Sequence, residues 1–226
     1  MRDGEWWQGL NRADSAVGPA EAWLRPRAAL RWEPVDKPIV EPVTKLGGQP
    51  VWLDEPFWPV SSTGGGPMVF IAQFRLPGPE LRMAYLFIAD DPDGTGLTFE
   101  PEGGDNALLV QPDGRIPEFV RGVAQPTGPS LWRRGEQWTE RVPVEVRVSA
   151  TDFGPDDEYH YSWIGGRPHF WQPDVLGIGK GWLFFFQLDG AEGIDEDAYA
   201  LNFGGGTGFA FLSRDEREGR FFWDCV

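Results

Sequence analysis

The chain has 226 residues, 41% of them apolar and 14% aromatic, too rich for disorder and long enough to bury a substantial core. Its net charge of −15 repels nucleic acid and anionic lipid; it favours a basic partner, or serves solubility alone. With 30 glycines and 21 prolines, the composition is that of many short strands joined by many turns, and helix is the predicted minority state.

Residues 1–7 (MRDGEWW) place acidic groups where a signal peptide needs a basic start and an apolar run. No stretch reaches the roughly 18 apolar residues of a membrane span, so a cytoplasmic protein without a membrane partner is expected. A short helix is predicted within Asp14–Arg31, capped by Asp14 or Ser15 and interrupted at Pro26, before an extended run punctuated by Pro34, Pro38 and Pro42. Residues 1–44 are therefore read as a helical and extended segment ahead of a domain at 45–226.

Within that domain, Val69–Phe74 (VFIAQF), Met83–Ala89 (MAYLFIA), Ala107–Val110 (ALLV) and Leu183–Leu188 (LFFFQL) are short apolar runs bounded by Gly, Pro or Asp, the signature of buried strands. Val142, Val144, Val146 and Val148 alternate with Pro143, Glu145 and Arg147, as a strand with one wet face requires. Pro143 lacks an N–H, so this strand starts there or lies at an edge. Tyr159, Tyr161 and Trp163 alternate in the same way.

Two passages read alike. Gly47-Gly48-Gln49-Pro50 followed by an apolar strand carrying Gln73 matches Gly165-Gly166-Arg167-Pro168 followed by a strand carrying Gln187. The first passage then closes with the glycine-opened strand Gly103–Asp113 and the second with Gly204–Asp215, which leaves MAYLFIA as an extra strand of the first. Repeat 1 spans about 45–120 and repeat 2 about 160–226. Neither half looks able to close its own sheet edges, so the predicted fold is mainly β, an internally duplicated antiparallel roll fused into one domain. Gln73 and Gln187, each inside an apolar run, are expected to tie down backbone groups.

The ordered series Gly-Gly-x-Pro, Phe-Ile-Ala-Gln-Phe, Gly-Gly-Arg-Pro-His-Phe-Trp-Gln-Pro-Asp, Phe-Phe-Gln-Leu-Asp and Phe-Trp-Asp-Cys resembles the YwqG-like bacterial proteins over roughly residues 40–226. The resemblance implies a duplicated β roll without an established activity, and the genomic company of that family suggests an immunity-type role against a toxin. Family members often read Trp-Gly-Asp before the last glycine-rich strand. This chain has Ala200-Leu201-Asn202-Phe203-Gly204 there, so no role carries over from that tryptophan or aspartate.

Two histidines and one cysteine form no metal-ligand spacing, and neither a metal nor a cofactor is expected. His160 is read as structural or surface-facing, Cys225 as a packed thiol, and His169, after the second Gly-Gly turn, as the better functional candidate. No G-x-S-x-G occurs, and the glycine runs at 177–181 and 204–208 lead into strands rather than into a phosphate-binding helix. The acidic clusters Asp156-Asp157-Glu158 and Asp195-Glu196-Asp197 suit a basic partner or a divalent cation, or are solvated loops. Trp52, Trp58, Trp163 and Trp171 flank the two Gly-Gly turns, as stacking platforms or as core. The expectation is a non-catalytic binding protein holding a basic, toxin-like partner on an acidic surface. The alternatives are a small-molecule or carbohydrate binder using tryptophans between the repeats, and a carboxylate-based hydrolase.

Overall fold

The computed structural model describes residues 27–135, 140–155, 157–158, 160–172, 178, 181–191, 193–194 and 197–225. Secondary structure among them is all strand: β1 (Ala28–Pro34), β2 (Lys45–Gly47), β3 (Trp58–Val60), β4 (Val69–Arg75), β5 (Met83–Ile88), β6 (Asn106–Gln111), β7 (Arg121–Val123), β8 (Trp132–Arg134), β9 (Arg141–Pro143), β10 (Glu145–Thr151), β11 (Trp163–Ile164), β12 (Trp182–Asp189), β13 (Gly193–Ile194), β14 (Asp197–Ala198), β15 (Thr207–Ser213) and β16 (Gly219–Asp224). No helix of the described residues is long and apolar enough to cross a membrane.

Ten strands make one antiparallel sheet in the order β16-β15-β12-β11-β1-β10-β2-β4-β5-β6, and β3–β7, β8–β9 and β13–β14 form separate pairs. The order is palindromic about the β1–β10 pair, and so is the register. Lys45 faces Gln73 as Trp163 faces Gln187, Tyr85 sits between Gln73 and Leu109 as Phe209 sits between Gln187 and Phe222, and the centre of symmetry is the Arg31–Ser149 pair. Both long central strands carry a bulge at the same place, Ile71 in β4 and Phe185 in β12. Each bulge turns two consecutive residues, Ile71-Ala72 and Phe185-Phe186, into the same interior.

The halves are threaded through one another. β1, which precedes the first Gly-Gly turn, pairs with β11 of the other half, and β10, which precedes the second half, pairs with β2 of the first. The outermost strands then meet, so the sheet nearly closes into a barrel: a Cβ on Gly219 of β16 would run into the Leu108 carbonyl of β6. Arg115 N–H donates to the Arg217 carbonyl across this seam, and Arg82–Glu216 and Arg220–Glu102 pair across it at 3.0 Å each.

Continuous apolar strands are explained by what covers them. One interior is shared by both halves, where Phe74 stacks on Phe186 with centroids 3.8 Å apart. Each half also has its own outer cluster under loops, Phe70, Tyr85, Phe87 and Leu109 in the first and Phe184, Phe209, Phe211 and Phe222 in the second. A strand buried on both faces has no reason to alternate.

The structure corrects several sequence expectations. Residues 14–26 of the predicted helix lie outside the described residues, and Ala28, Ala29 and Leu30 are in strand β1, held by pairing to β10 and β11. Residues 28–34 are therefore a central strand of the domain rather than part of a leading segment; tertiary pairing overrides their helix propensity. MAYLFIA is no extra strand but the counterpart of β15. The counterpart of the Gly103–Asp113 strand is β16, not the glycine-opened β15, because similar glycines there open different strands. Of the alternating Tyr159, Tyr161 and Trp163, only Trp163 is in a strand, and Tyr159 lies outside the described residues.

Candidate aromatic face of the second half

Each half is organised by a pair of left-handed glycines. Gly47 and Gly48 have φ of 68° and 65°, and Gly165 and Gly166 have 72° and 66°. A Cβ on Gly48 would strike the Glu145 side chain, and one on Gly166 would lie 2.8 Å from Arg27 Cβ, so glycine is required for both conformation and space. After Pro50 and Pro168 the chain returns over the outer face of its half, and a buried glutamine ties it down. Gln73 Oε1 accepts from Val51 N–H at 2.9 Å and its amide donates to the Val43 carbonyl at 2.8 Å; Gln187 does the same with His169 N–H and the Tyr161 carbonyl, both at 2.9 Å.

A second fastener follows. Gln111 Oε1 accepts from Leu53 and Asp54 N–H, both at 3.1 Å, and its amide donates to the Glu55 carbonyl at 3.0 Å. Asp224 takes this place in the second half, where Oδ2 accepts from Trp171 N–H at 3.0 Å and Gln172 N–H at 3.1 Å. Burial pushes its carboxyl up to about 6, against the lowering effect of those two bonds.

The same framework thus displays different side chains. Where the first half presents Val43, Val51 and Leu53, the second presents Tyr161, His169 and Trp171, whose ring centroids lie 5.1–5.6 Å apart. His169 is exposed, Tyr161 and Trp171 are half-buried, and Trp171 Nε1 donates to Thr207 Oγ1 at 2.8 Å.

A further substitution distinguishes the halves at the exchanged strands. Lys45, 1% exposed, donates to Glu145 at 2.7 Å and to the Ile39 carbonyl at 3.1 Å, and desolvation lowers its pKa in spite of Glu145. At the matching positions the second half has Trp163 and Arg27, whose guanidinium lies 4.6 Å from the Trp163 centroid and 3.8 Å from that of Phe153.

The predicted site residues separate accordingly. His169 and Trp171 come together, joined by Tyr161, which no sequence signal marks as a ligand-facing group. Trp58 is fully buried and donates to the Met68 carbonyl, so it is core. Trp52 is half-buried against Trp58, Tyr85 and Phe87 with its indole donating to the Pro126 carbonyl. Asp157 is engaged by Arg31 at 2.6 Å and by Gly154 N–H, which lower its pKa, whereas Glu158 is exposed. Asp156, Asp195 and Glu196 lie outside the described residues, and of Asp197 only the backbone, in β14, is described. Gly47, Gly48, Pro50, Gly165, Gly166 and Pro168 build the two turns rather than a site.

A cavity of about 430 Å³ lies between the first Gly-Gly turn and the start of β10, walled by Pro38, Val40, Pro50, Val51 and Val144 and by no tryptophan. Among the described residues no three His, Cys, Asp or Glu side chains are grouped to hold a metal. Compared with known proteins, the chain matches no family, no curated protein and no solved structure.

Proposed function

We propose that this is a non-catalytic, cytoplasmic binding protein of YwqG-like type, built from two degenerate copies of one β unit, whose second half holds a basic protein partner. The observation that carries the reading is the asymmetry within a symmetric framework. Half-buried aliphatic Val43, Val51 and Leu53 in the first half give way, at the same backbone positions, to half-buried Tyr161 and Trp171 and an exposed His169, an aromatic cluster that the shared framework does not itself require. Aromatic faces attract guanidinium and ammonium groups, and aromatic anchors dominate protein interfaces. The net charge of −15 supplies long-range attraction for a partner of opposite sign, such as a basic toxin.

The test is retention of a basic protein from the native host on the immobilised chain, compared with a Trp171→Ala, His169→Ala double variant. The reading requires that the double variant lose the retained protein and that raising salt from ~0.05 to ~0.5 M weaken retention steeply. A partner held equally by both forms, or held at high salt, refutes it. Binding of an uncharged sugar on the same aromatic face, lost in the same double variant, would instead favour a carbohydrate binder.

A further inference from the structure

Asp224 is 5% exposed, and its Oδ1 is buried without a hydrogen-bond partner while Oδ2 carries both N–H bonds. Buried polar atoms are rarely left in that condition, and a lone buried carboxylate is costly. The first half shows what the position does when it is neutral. The Gln111 amide makes the same two acceptor bonds and adds a donor bond to the next carbonyl, from Glu55. A protonated carboxyl has the same two faculties, a carbonyl oxygen that accepts and an O–H that donates, whereas a carboxylate has only acceptors.

Trp171-Gln172 is attached to β15, β16 and Cys225 just after it by four bonds. Two end on Asp224 Oδ2, one runs from Trp171 Nε1 to Thr207 Oγ1 and one from Gln172 Nε2 to the Cys225 carbonyl at 2.7 Å. We propose that Asp224 is a proton-operated fastener of this loop. Protonated, it carries no buried charge, has an O–H where the Gln111 amide has its donor, and secures Trp171 within the aromatic face; ionised, it leaves an uncompensated charge beneath the loop and loosens it. As control of partner binding this rests on the role proposed above; as a property of the loop it does not.

The surroundings isolate the group. Across β15 it faces Thr207, with Asp189 of β12 one strand further in the same row, and its own strand supplies Arg220 four residues away. The loop contributes His169 next to Trp171, the segment before β11 contributes Tyr161, and Cys225 follows Asp224 in the chain. Burial raises the carboxyl's pKa and the two N–H bonds lower it, with a net position of about 6.

The experiment follows the Trp171 indole N–H by NMR on the full chain, assigned with Trp171→Phe, between about pH 4.5 and 7.5. The proposal expects the wild-type resonance to titrate with a midpoint near 6, to broaden on the alkaline side, and to stop titrating in Asp224→Asn. A resonance flat over that range overturns it, as does a titration that survives in Asp224→Asn and disappears in His169→Gln. Should Asp224→Asn not fold, the side-chain carboxyl ¹³C shift of Asp224 in the wild type decides: a midpoint near the ordinary ~4 overturns the proposal. No partner is present in these measurements, so failure of the binding role leaves them interpretable.

Discussion

Replacing Gln187 by leucine tests the account of how the second half is tied together. The side chain is fully buried and nearly the size of leucine, so little cavity or overpacking contributes. What is lost is the pair of bonds to His169 N–H and the Tyr161 carbonyl, 2.9 Å each. Two buried hydrogen bonds are worth about 1 kcal/mol apiece, and orphaning a backbone group costs about 1–3 kcal/mol more where water cannot replace the partner. His169 is exposed and Tyr161 half-buried, so water replaces part of the loss and the expected destabilisation is about 2–3 kcal/mol. In a domain of this size that lowers Tm by about 4–12 °C. Urea unfolding followed by tryptophan fluorescence should show a lower midpoint at unchanged slope. Gln73→Leu should fall in the same range, because it makes the same two bonds in the other half. A loss below about 0.5 kcal/mol in both variants would mean that the glutamines merely fill space, and the reasoning from buried bonds would fail.

Lys45→Met should cost about 3 kcal/mol by denaturant unfolding, since among the described residues it leaves Glu145 with the Ile39 N–H alone, and a further Glu145→Gln should recover part of that loss. Gly166→Ala should cost more than Gly65→Ala in thermal unfolding. Both glycines have φ near 66–69°, but the added methyl meets Arg27 in the first case and open space in the second, so the difference between the variants reads the clash alone. Asp224 gives a stability that depends on pH. Its folded pKa, about 6, lies above its unfolded value of 3.8, so the native state holds more protons between the two and stability falls as pH rises through that window. The full difference is at most about 3 kcal/mol, and Asp224→Asn should flatten that part of the curve measured by urea unfolding.

The fold was legible where composition left one physical solution. VFIAQF and LFFFQL are too apolar and too tightly bounded by turns to be anything but strands covered on both faces, and Gly-Gly-x-Pro with its downstream glutamine marked the two matching turns. Ala28-Ala29-Leu30 misled because alanine and leucine favour helix locally, while their actual partners, Thr151, Ala150 and Trp163, lie far along the chain. Glycines misled because Gly103-Gly104, ahead of β6, and Gly204-Gly205, ahead of β15, look alike but serve different turns. The true match, Gln111 with Asp224, joins two residue types that share a hydrogen-bonding task and little else. Among candidate site residues, tryptophans near the turns were visible, but only packing separates the buried Trp58 from Trp171, and only the comparison with Val43 brings Tyr161 into view.

The crossing of β1 and β10 has a consequence for how the protein is made. β1 leaves the ribosome before any other described strand, yet both its neighbours come from residues 145–164. Until that later stretch has been synthesised, Leu30 has no interior to enter and the edge of β2 that will receive β10 stays open. Assembly of the central strand is therefore deferred until residues 145–164 have been made, and a ribosome that stalls before Glu145 holds a chain in which β1 has neither of its neighbours.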